Sequence, residues 1–178
     1  MKSIKRFITT KLKLKVNEPK SAVGKPSQRK FLGFSFTAEE VPRRRLAPQS
    51  IARFRAKVRE LTRRAIGRSR VEVTAKLRNY LKGWLGYDDF VEVPRELRKL
   101  ESWIRRPLRS LIGAQWKTRK KRFKELRRRG SNPDLAQRTA GSSQGPWRIS
   151  RSPALHVALP HAYFSQLGIP SFTVKGVA

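Results

Sequence analysis

One stretch decides the fold: residues 97–115, which read LRKLESWIRRPLRSLIGAQ. Its apolar residues recur every three or four positions, a spacing that places them on one face of an α-helix. They are Leu97, Leu100, Ile104, Leu108 and Leu111. Pro94 suits the first turn of this helix, because a proline there sacrifices no hydrogen bond. Pro107 lies inside the pattern, so we expect it to kink the helix and to place its continuity in question.

Two similar patterns precede this helix, and a basic segment follows it. The first pattern is made of Ile51, Phe54, Val58, Leu61 and Ala65, with Gly67 at its end. The second is made of Val73, Leu77, Leu81 and Trp84. Ser69 and Glu72 stand before it in the spacing of a capping box, which marks the start of a helix. With the basic segment at residues 116–130, these patterns predict a bundle of three or four helices.

The flanking regions carry weaker patterns. Apolar residues alternate with lysines over residues 12–16 and recur at every second position within residues 30–36, which predicts two strands of a β-hairpin. Turn-forming residues lie between them at residues 17–20. Residues 130–152 are rich in Gly, Ser, Pro and Asn and indicate an extended connection. Residues 154–172 regain apolar character, which favours one short helix and a packing tail.

Positive charge dominates the composition. The chain has 43 Lys and Arg against 12 Asp and Glu, a formal net charge of +31. Such a charge is typical of proteins that bind nucleic acid, whose phosphates neutralise it, with an acidic membrane surface as the second candidate. The absence of cysteine excludes disulfides, zinc fingers and thiol catalysis. No apolar run reaches the ~20 residues of a membrane span, so the sequence predicts a soluble protein.

The N-terminal residues 1–16 are basic and free of acidic residues. This composition is typical of a mitochondrial transit peptide, but a short helix that runs into a strand explains it more simply. We therefore expect a cytoplasmic protein that associates with ribonucleoprotein.

One short stretch, GYDDF at residues 86–90, resembles the Tyr-x-Asp-Asp box of reverse transcriptases. The spacing fails, because Tyr87 directly precedes Asp88 and the box has one residue between them. No aspartate precedes position 88 to complete a two-metal site. His156 and His161 lack neighbours for a catalytic triad and are interpreted as surface or packing residues. The sequence therefore predicts no catalytic residue, no metal and no cofactor.

Binding is better supported than catalysis. Trp103 and Trp116 each stand beside Arg or Lys residues, and such side chains can clamp phosphates while aromatic rings stack on unpaired bases. The helical spacing favours Trp84 and Trp103 as core residues, which leaves their basic neighbours as the ligands of nucleic acid.

These segments resemble, in order, the C-terminal part of group II intron maturases, the reverse transcriptases encoded inside self-splicing introns. Residues 12–36 resemble the last strand block of the palm domain. Residues 51–130 resemble the maturase-specific domain, also called domain X or the thumb, through LKGW-GY, WIRR-LR and QWK-R. Residues 141–172 resemble the C-terminal block, through GPWR at residues 145–148.

The resemblance implies a mainly α fold, with a three- to four-helix thumb-like bundle, a short β-hairpin before it and an irregular C-terminal extension. It divides the chain into a palm remnant at 1–45, the maturase-specific bundle at 46–130 and its extension at 131–178. Two departures stand out. No Tyr-Ala-Asp-Asp box or cysteine-rich endonuclease module is found in the sequence, and Pro107 stands where relatives usually have Arg or Lys.

In the family, domain X helps to hold intron RNA in its splicing-competent fold, so the resemblance implies group II intron RNA as the partner. The implied RNA-binding residues are Arg105, Arg106, Arg109, Lys117, Arg119, Lys120, Lys121 and Arg148. The residues expected to pack in the core are Phe54, Leu61, Leu77, Trp84, Tyr87, Trp103 and Ile104.

Three hypotheses remain open at this point. The first is a truncated maturase that binds intron RNA and does not polymerise DNA. The second is the C-terminal half of a split RNA-directed DNA polymerase, whose palm and fingers come from a separate chain that pairs with the exposed hairpin edge. The third is a decayed remnant of a mobile intron.

Overall fold

A computed structural model describes residues 2–21, 23–63, 69–86 and 90–172. The described part is mainly helical, with one two-stranded antiparallel sheet early in the chain, and the predicted fold class is confirmed. The strands are β1 (Phe34–Phe36) and β2 (Arg44–Leu46). The helices are α1 (Lys2–Thr10), α2 (Pro48–Thr62), α3 (Arg70–Leu85), α4 (Pro94–Gln115), α5 (Arg119–Arg128), α6 (Pro133–Gly141), α7 (Pro146–Ile149), α8 (Pro153–Ala158) and α9 (His161–Gln166). Two 3₁₀ turns, Glu18–Lys20 and Pro26–Gln28, lie between α1 and β1.

Helix α4 gives the core its longest apolar stripe. It begins at Pro94, as predicted, and runs for 22 residues. The helical backbone continues through Pro107, so α4 is not interrupted there, and the expected kink stays a prediction. A proline here removes only the hydrogen bond to the Trp103 carbonyl. Because Pro107 is itself buried in the bundle, its apolar contacts offset that loss.

Helix α2 packs on both α3 and α4, and aromatic rings fill the junction of α2 and α3. The Phe54 and Trp84 ring centroids lie 4.5 Å apart, and those of Trp84 and Phe172 lie 5.7 Å apart. Phe172 belongs to the C-terminal tail, which therefore closes the core. The predicted cap of α3 is confirmed, because the Ser69 hydroxyl accepts a hydrogen bond from the Glu72 N–H at 3.1 Å.

The residues predicted to pack in the core differ in how deeply the structure buries them. Phe54, Leu77 and Ile104 are buried. Leu61, Trp84 and Trp103 are half-buried against the core. Tyr87 lies outside the described residues, as do Ala65, Gly67, Asp88 and Asp89.

The C-terminal region is more ordered than the sequence predicted. The extended connection expected at residues 130–152 is wrong, because α6 and α7 occupy most of it. Its turn-forming residues cap these short helices: the Asn132 side chain accepts from the Asp134 N–H, and Gly145 and Pro146 begin α7. The following segment forms two helices, α8 and α9, where one was expected. Helix α7 packs on α4, and α6 and α8 pack on α5.

The hairpin exists, but its partners differ from the prediction. Strand β1 pairs with β2, with Phe34 opposite Leu46. The strand predicted at residues 12–16 is wrong: this backbone is irregular, and Lys13 adopts a left-handed conformation with φ of 52°. Leu12 and Leu14 remain exposed, because no neighbouring strand covers them. The prediction of a short helix before residue 12 agrees with α1.

Two carboxylates tie the hairpin to the bundle. Glu92 accepts a hydrogen bond from the Arg44 N–H at 2.6 Å, and Glu96 accepts one from the Leu46 N–H at 3.1 Å. The predicted division into segments 1–45, 46–130 and 131–178 stays a prediction, although Leu46 and Phe172 share one core.

Glu101 joins α4 to the C-terminal tail. Its carboxylate, 14% exposed, accepts hydrogen bonds from His161 at 2.7 Å and from Arg105 at 3.1 Å. It also accepts from the Phe172 N–H at 3.4 Å. Burial raises the pKa of Glu101, but these hydrogen bonds outweigh it, so the pKa lies below its ordinary value of 4.5.

Among the residues that the structure describes, no helix combines the length and hydropathy needed to cross a membrane.

We expect Phe172→Ala to lower the free energy of unfolding by about 3–5 kcal/mol, because the ring is 1% exposed and its loss leaves a cavity beside Phe54 and Trp84. The matched control is Phe31→Ala, whose ring is 71% exposed and whose loss should cost about 0.5 kcal/mol or less. Urea denaturation measures both. Equal effects of the two substitutions would show that the tail does not close the core.

We also expect Glu101 to make stability depend on pH. Because its folded pKa is lowered, its contribution is present above its unfolded pKa, near 4.5, and is lost as the pH falls through the folded value. Glu101→Gln should flatten the fall in unfolding free energy below about pH 5. Glu60→Gln, which removes an exposed carboxylate, is the control and should leave the profile unchanged. A Glu101→Gln profile parallel to the wild type would contradict this role.

Candidate nucleic-acid interface

The first candidate surface is the α5 patch, defined as Lys117, Arg119, Lys120 and Lys121. All four side chains are exposed. The Thr118 hydroxyl caps α5 by accepting from the Lys121 N–H at 3.2 Å, and buried Leu126 holds the helix against the core. None of the four forms an ion pair with a carboxylate of the described residues. The N-terminal end of α5 adds the positive end of the helix dipole to their charge.

The second candidate surface is the arginine groove, defined as the cleft between α4, α6 and α7 that holds Arg106, Arg138, Trp147, Arg148 and Arg151. The Arg106 guanidinium lies over the Trp147 ring, 4.0 Å from its centroid. Desolvation lowers the pKa of Arg106, and the nearby charge of Arg151 lowers it further. The last acidic residue of the sequence is Asp134, so the segment that builds most of the groove brings no negative charge with it.

The patch and the groove adjoin each other at the end of α6. Arg122 of α5 donates hydrogen bonds to the carbonyls of Ala140 and Ser142 at 3.2 and 3.4 Å. The Arg119 guanidinium lies so close to Gly141 that a side chain there would meet it at 3.2 Å. Ser142 in turn lines the groove. Five predicted RNA-binding residues of patch and groove are joined to one surface in this way, and Arg106 lies across the cleft from them.

Two predicted ligands lie elsewhere. Arg105 faces α9 and forms an ion pair with Glu101 at 3.1 Å. Arg109 is only 8% exposed, and its Nε donates to the Leu159 carbonyl at 3.2 Å. Burial lowers the pKa of Arg109, with a smaller effect from the charge of Arg105. The structure gives Arg109 the role of a tie between α4 and the α8–α9 connection, and its contact with RNA stays a prediction.

The four tryptophans differ in their exposure to solvent. Trp116 is buried, and Trp103 is half-buried with Arg55 and Arg59 over its ring at 5.6 and 5.4 Å. Trp147 is the one exposed to solvent. Sequence reasoning did not single out its ring, nor Arg138 and Arg151, because α6 and α7 are too short to show a helical period. The lack of acidic residues after Asp134 was the available signal.

Comparison with known families bears on this arrangement. Residues 51–130 match the family described as "Group II intron, maturase-specific domain". The chain carries a group II intron maturase-specific domain. The predicted resemblance of residues 51–130 to this domain is thereby confirmed. The match contains α3, α4 and α5, and so it includes the whole α5 patch. No curated protein matches the chain.

The maturase-specific domain supplies only part of the arginine groove. Arg106 lies within the matched residues, whereas Arg138, Trp147, Arg148 and Arg151 come from the segment that follows them. Helix α7 packs on α4 and α6 packs on α5, so this segment completes a surface that the domain begins.

The position of Arg109 leads to a prediction about stability. Arg109→Ala should lower the free energy of unfolding by about 1–3 kcal/mol, because it removes a buried charged donor and leaves the Leu159 carbonyl unpaired. Arg148→Ala, which truncates an exposed arginine, should change it by about 0.5 kcal/mol or less. Thermal and urea denaturation measure both variants. An Arg109→Ala protein as stable as wild type would refute the structural role.

Proposed function

We propose that this chain binds group II intron RNA through the α5 patch and the arginine groove, and that it assists splicing as an RNA-binding protein without polymerase chemistry of its own. The observation that carries the proposal is the α5 patch: four exposed cations at and just before the start of α5, inside a maturase-specific domain. Phosphates of a folded RNA would neutralise them and release counterions. The proposed setting is a cytoplasmic ribonucleoprotein.

The lysines and the arginine of the α5 patch are suited to different contacts with RNA. Lys120 and Lys121 are mobile point charges suited to phosphates, which fix the position of a protein on RNA without reading sequence. Arg119 lies against Gly141, and its planar guanidinium can bind a phosphate through two parallel hydrogen bonds. Recognition of one intron would then depend on RNA shape across the whole surface.

A second candidate function is that of one half of a split RNA-directed DNA polymerase, with palm and fingers in a separate chain. An apolar cleft of about 640 Å³ beside β1 favours it. Phe31 and Leu32 are strongly exposed there, and Phe34, Phe36 and Phe90 also line the cleft. Co-purification with a palm-containing chain, abolished by Phe31→Asp, would support this candidate, and RNA binding by the chain alone without such a partner would favour the first.

The proposal predicts a steep dependence of RNA affinity on salt. If about six to ten phosphates are contacted, the affinity for a group II intron RNA should fall ~10³-fold or more between 50 and 200 mM salt. Replacing both Lys120 and Lys121 with Ala should weaken binding and lower the salt slope by about two. Filter binding across a salt series measures both quantities.

The matched control replaces Lys57 and Lys76 with Ala. It removes the same charge, but these lysines pair with Glu60 and Glu72 on α2 and α3, each at 2.8 Å. Its slope should match that of the wild type. If both double variants lose affinity equally, net charge alone drives binding and the α5 patch has no special role.

A further inference from the structure

We propose that the arginine groove binds one unpaired nucleotide of a single-stranded RNA segment, with the base stacked on Trp147 and its flanking phosphates held by Arg138, Arg148 and Arg151. This inference rests on the proposed function and names the class of RNA structure that the groove would take.

The positive charge of the groove favours the binding of an anion. Arginines from α4, α6, α7 and the turn after α7 converge on it, and no acidic residue lines it. None of the four guanidinium groups pairs with a carboxylate of the described residues, and the buried Nε of Arg106 has no hydrogen-bond partner. The effect of Arg151 on the pKa of Arg106 shows that these charges oppose one another. A bound phosphate would relieve this repulsion.

The groove also has room for more than a phosphate. Its volume is about 760 Å³, within the roughly 300–1,000 Å³ that is typical of small-ligand sites. A nucleotide fits this space, and the side chains of Ser142 and Gln144 on its wall are polar groups near the edge of a base.

Trp147 is a preformed stacking platform. It is 43% exposed although its helix is firmly held: Ile149 and Ser150 are buried, and the Ser150 hydroxyl donates to the Trp147 carbonyl at 2.6 Å. The Arg106 guanidinium covers one face of the ring, with its central carbon 4.0 Å from the ring centroid, so a base would stack on the opposite face. Base stacking on such a ring is tolerant of sequence, because every base has a π-face.

The combination selects single-stranded RNA over duplex RNA. Bases inside a duplex already stack on their neighbours and cannot reach a ring that lies within a cleft. A duplex can still bind the exposed α5 patch through its phosphates. The groove should therefore bind only single-stranded RNA, whereas the patch should bind both forms.

Tryptophan fluorescence of the full chain tests the inference, because Trp147 is exposed, whereas Trp84 and Trp103 are half-buried and Trp116 is buried. The probes are a single-stranded oligoribonucleotide, a duplex RNA of equal length and inorganic polyphosphate. We expect quenching by the single strand only. Trp147→Leu should abolish the quenching and weaken single-strand binding about 5- to 100-fold, while duplex affinity stays unchanged. Trp103→Phe, which removes a half-buried indole instead, should keep the quenching.

The outcomes separate this inference from the proposed function. If single-stranded and duplex RNA bind with steep salt dependence but Trp147→Leu changes neither affinity, the inference fails and the proposed function stands. If Trp147→Leu weakens both forms equally, the groove is only a phosphate-binding surface and base stacking is refuted. If no RNA binds at low salt, both proposals fail. A circular dichroism melt confirms that each variant is folded.

Discussion

The structure depends on covering the apolar stripe of α4, which is too long for one neighbouring helix to bury. Helix α2 packs on it, and the short helices α7 to α9 add a second cover. This second cover places Trp147 over Arg106 and places Arg109 beneath the α8–α9 connection. The need to bury α4 thus builds the arginine groove and removes one arginine from the surface at the same time.

Several of the few carboxylates of the chain make contacts that hold the fold together. Glu92 and Glu96 hold the hairpin, and Glu101 holds the C-terminal tail. Glu125 pairs with Arg128 at 2.9 Å within α5. With these carboxylates engaged elsewhere, the α5 patch and the arginine groove keep their full positive charge. Part of the net charge of +31 therefore lies unopposed where the maturase-specific domain meets the segment after it.

The sequence predicted the long elements and missed the short ones. Helices α2, α3 and α4 were visible because each spans several periods, and Ser69 and Pro94 mark two of their starts. Helices α6 to α9 are too short for a period, and their capping residues looked like a loop. The pairing of β1 with β2 was hidden because RRL at residues 44–46 has no alternation. The fate of Arg109 depends on a helix that lies 50 residues away in the chain, so no local pattern could reveal it.

The central claim is that the α5 patch and the arginine groove form one RNA-binding surface. Ultraviolet cross-linking of the full chain to group II intron RNA, followed by mass spectrometry of the peptides, tests it most directly. The account predicts cross-links in the peptides that contain Lys117, Lys120, Lys121 and Trp147. Cross-links confined to α1, or to Lys57 and Lys76 on α2 and α3, would contradict it.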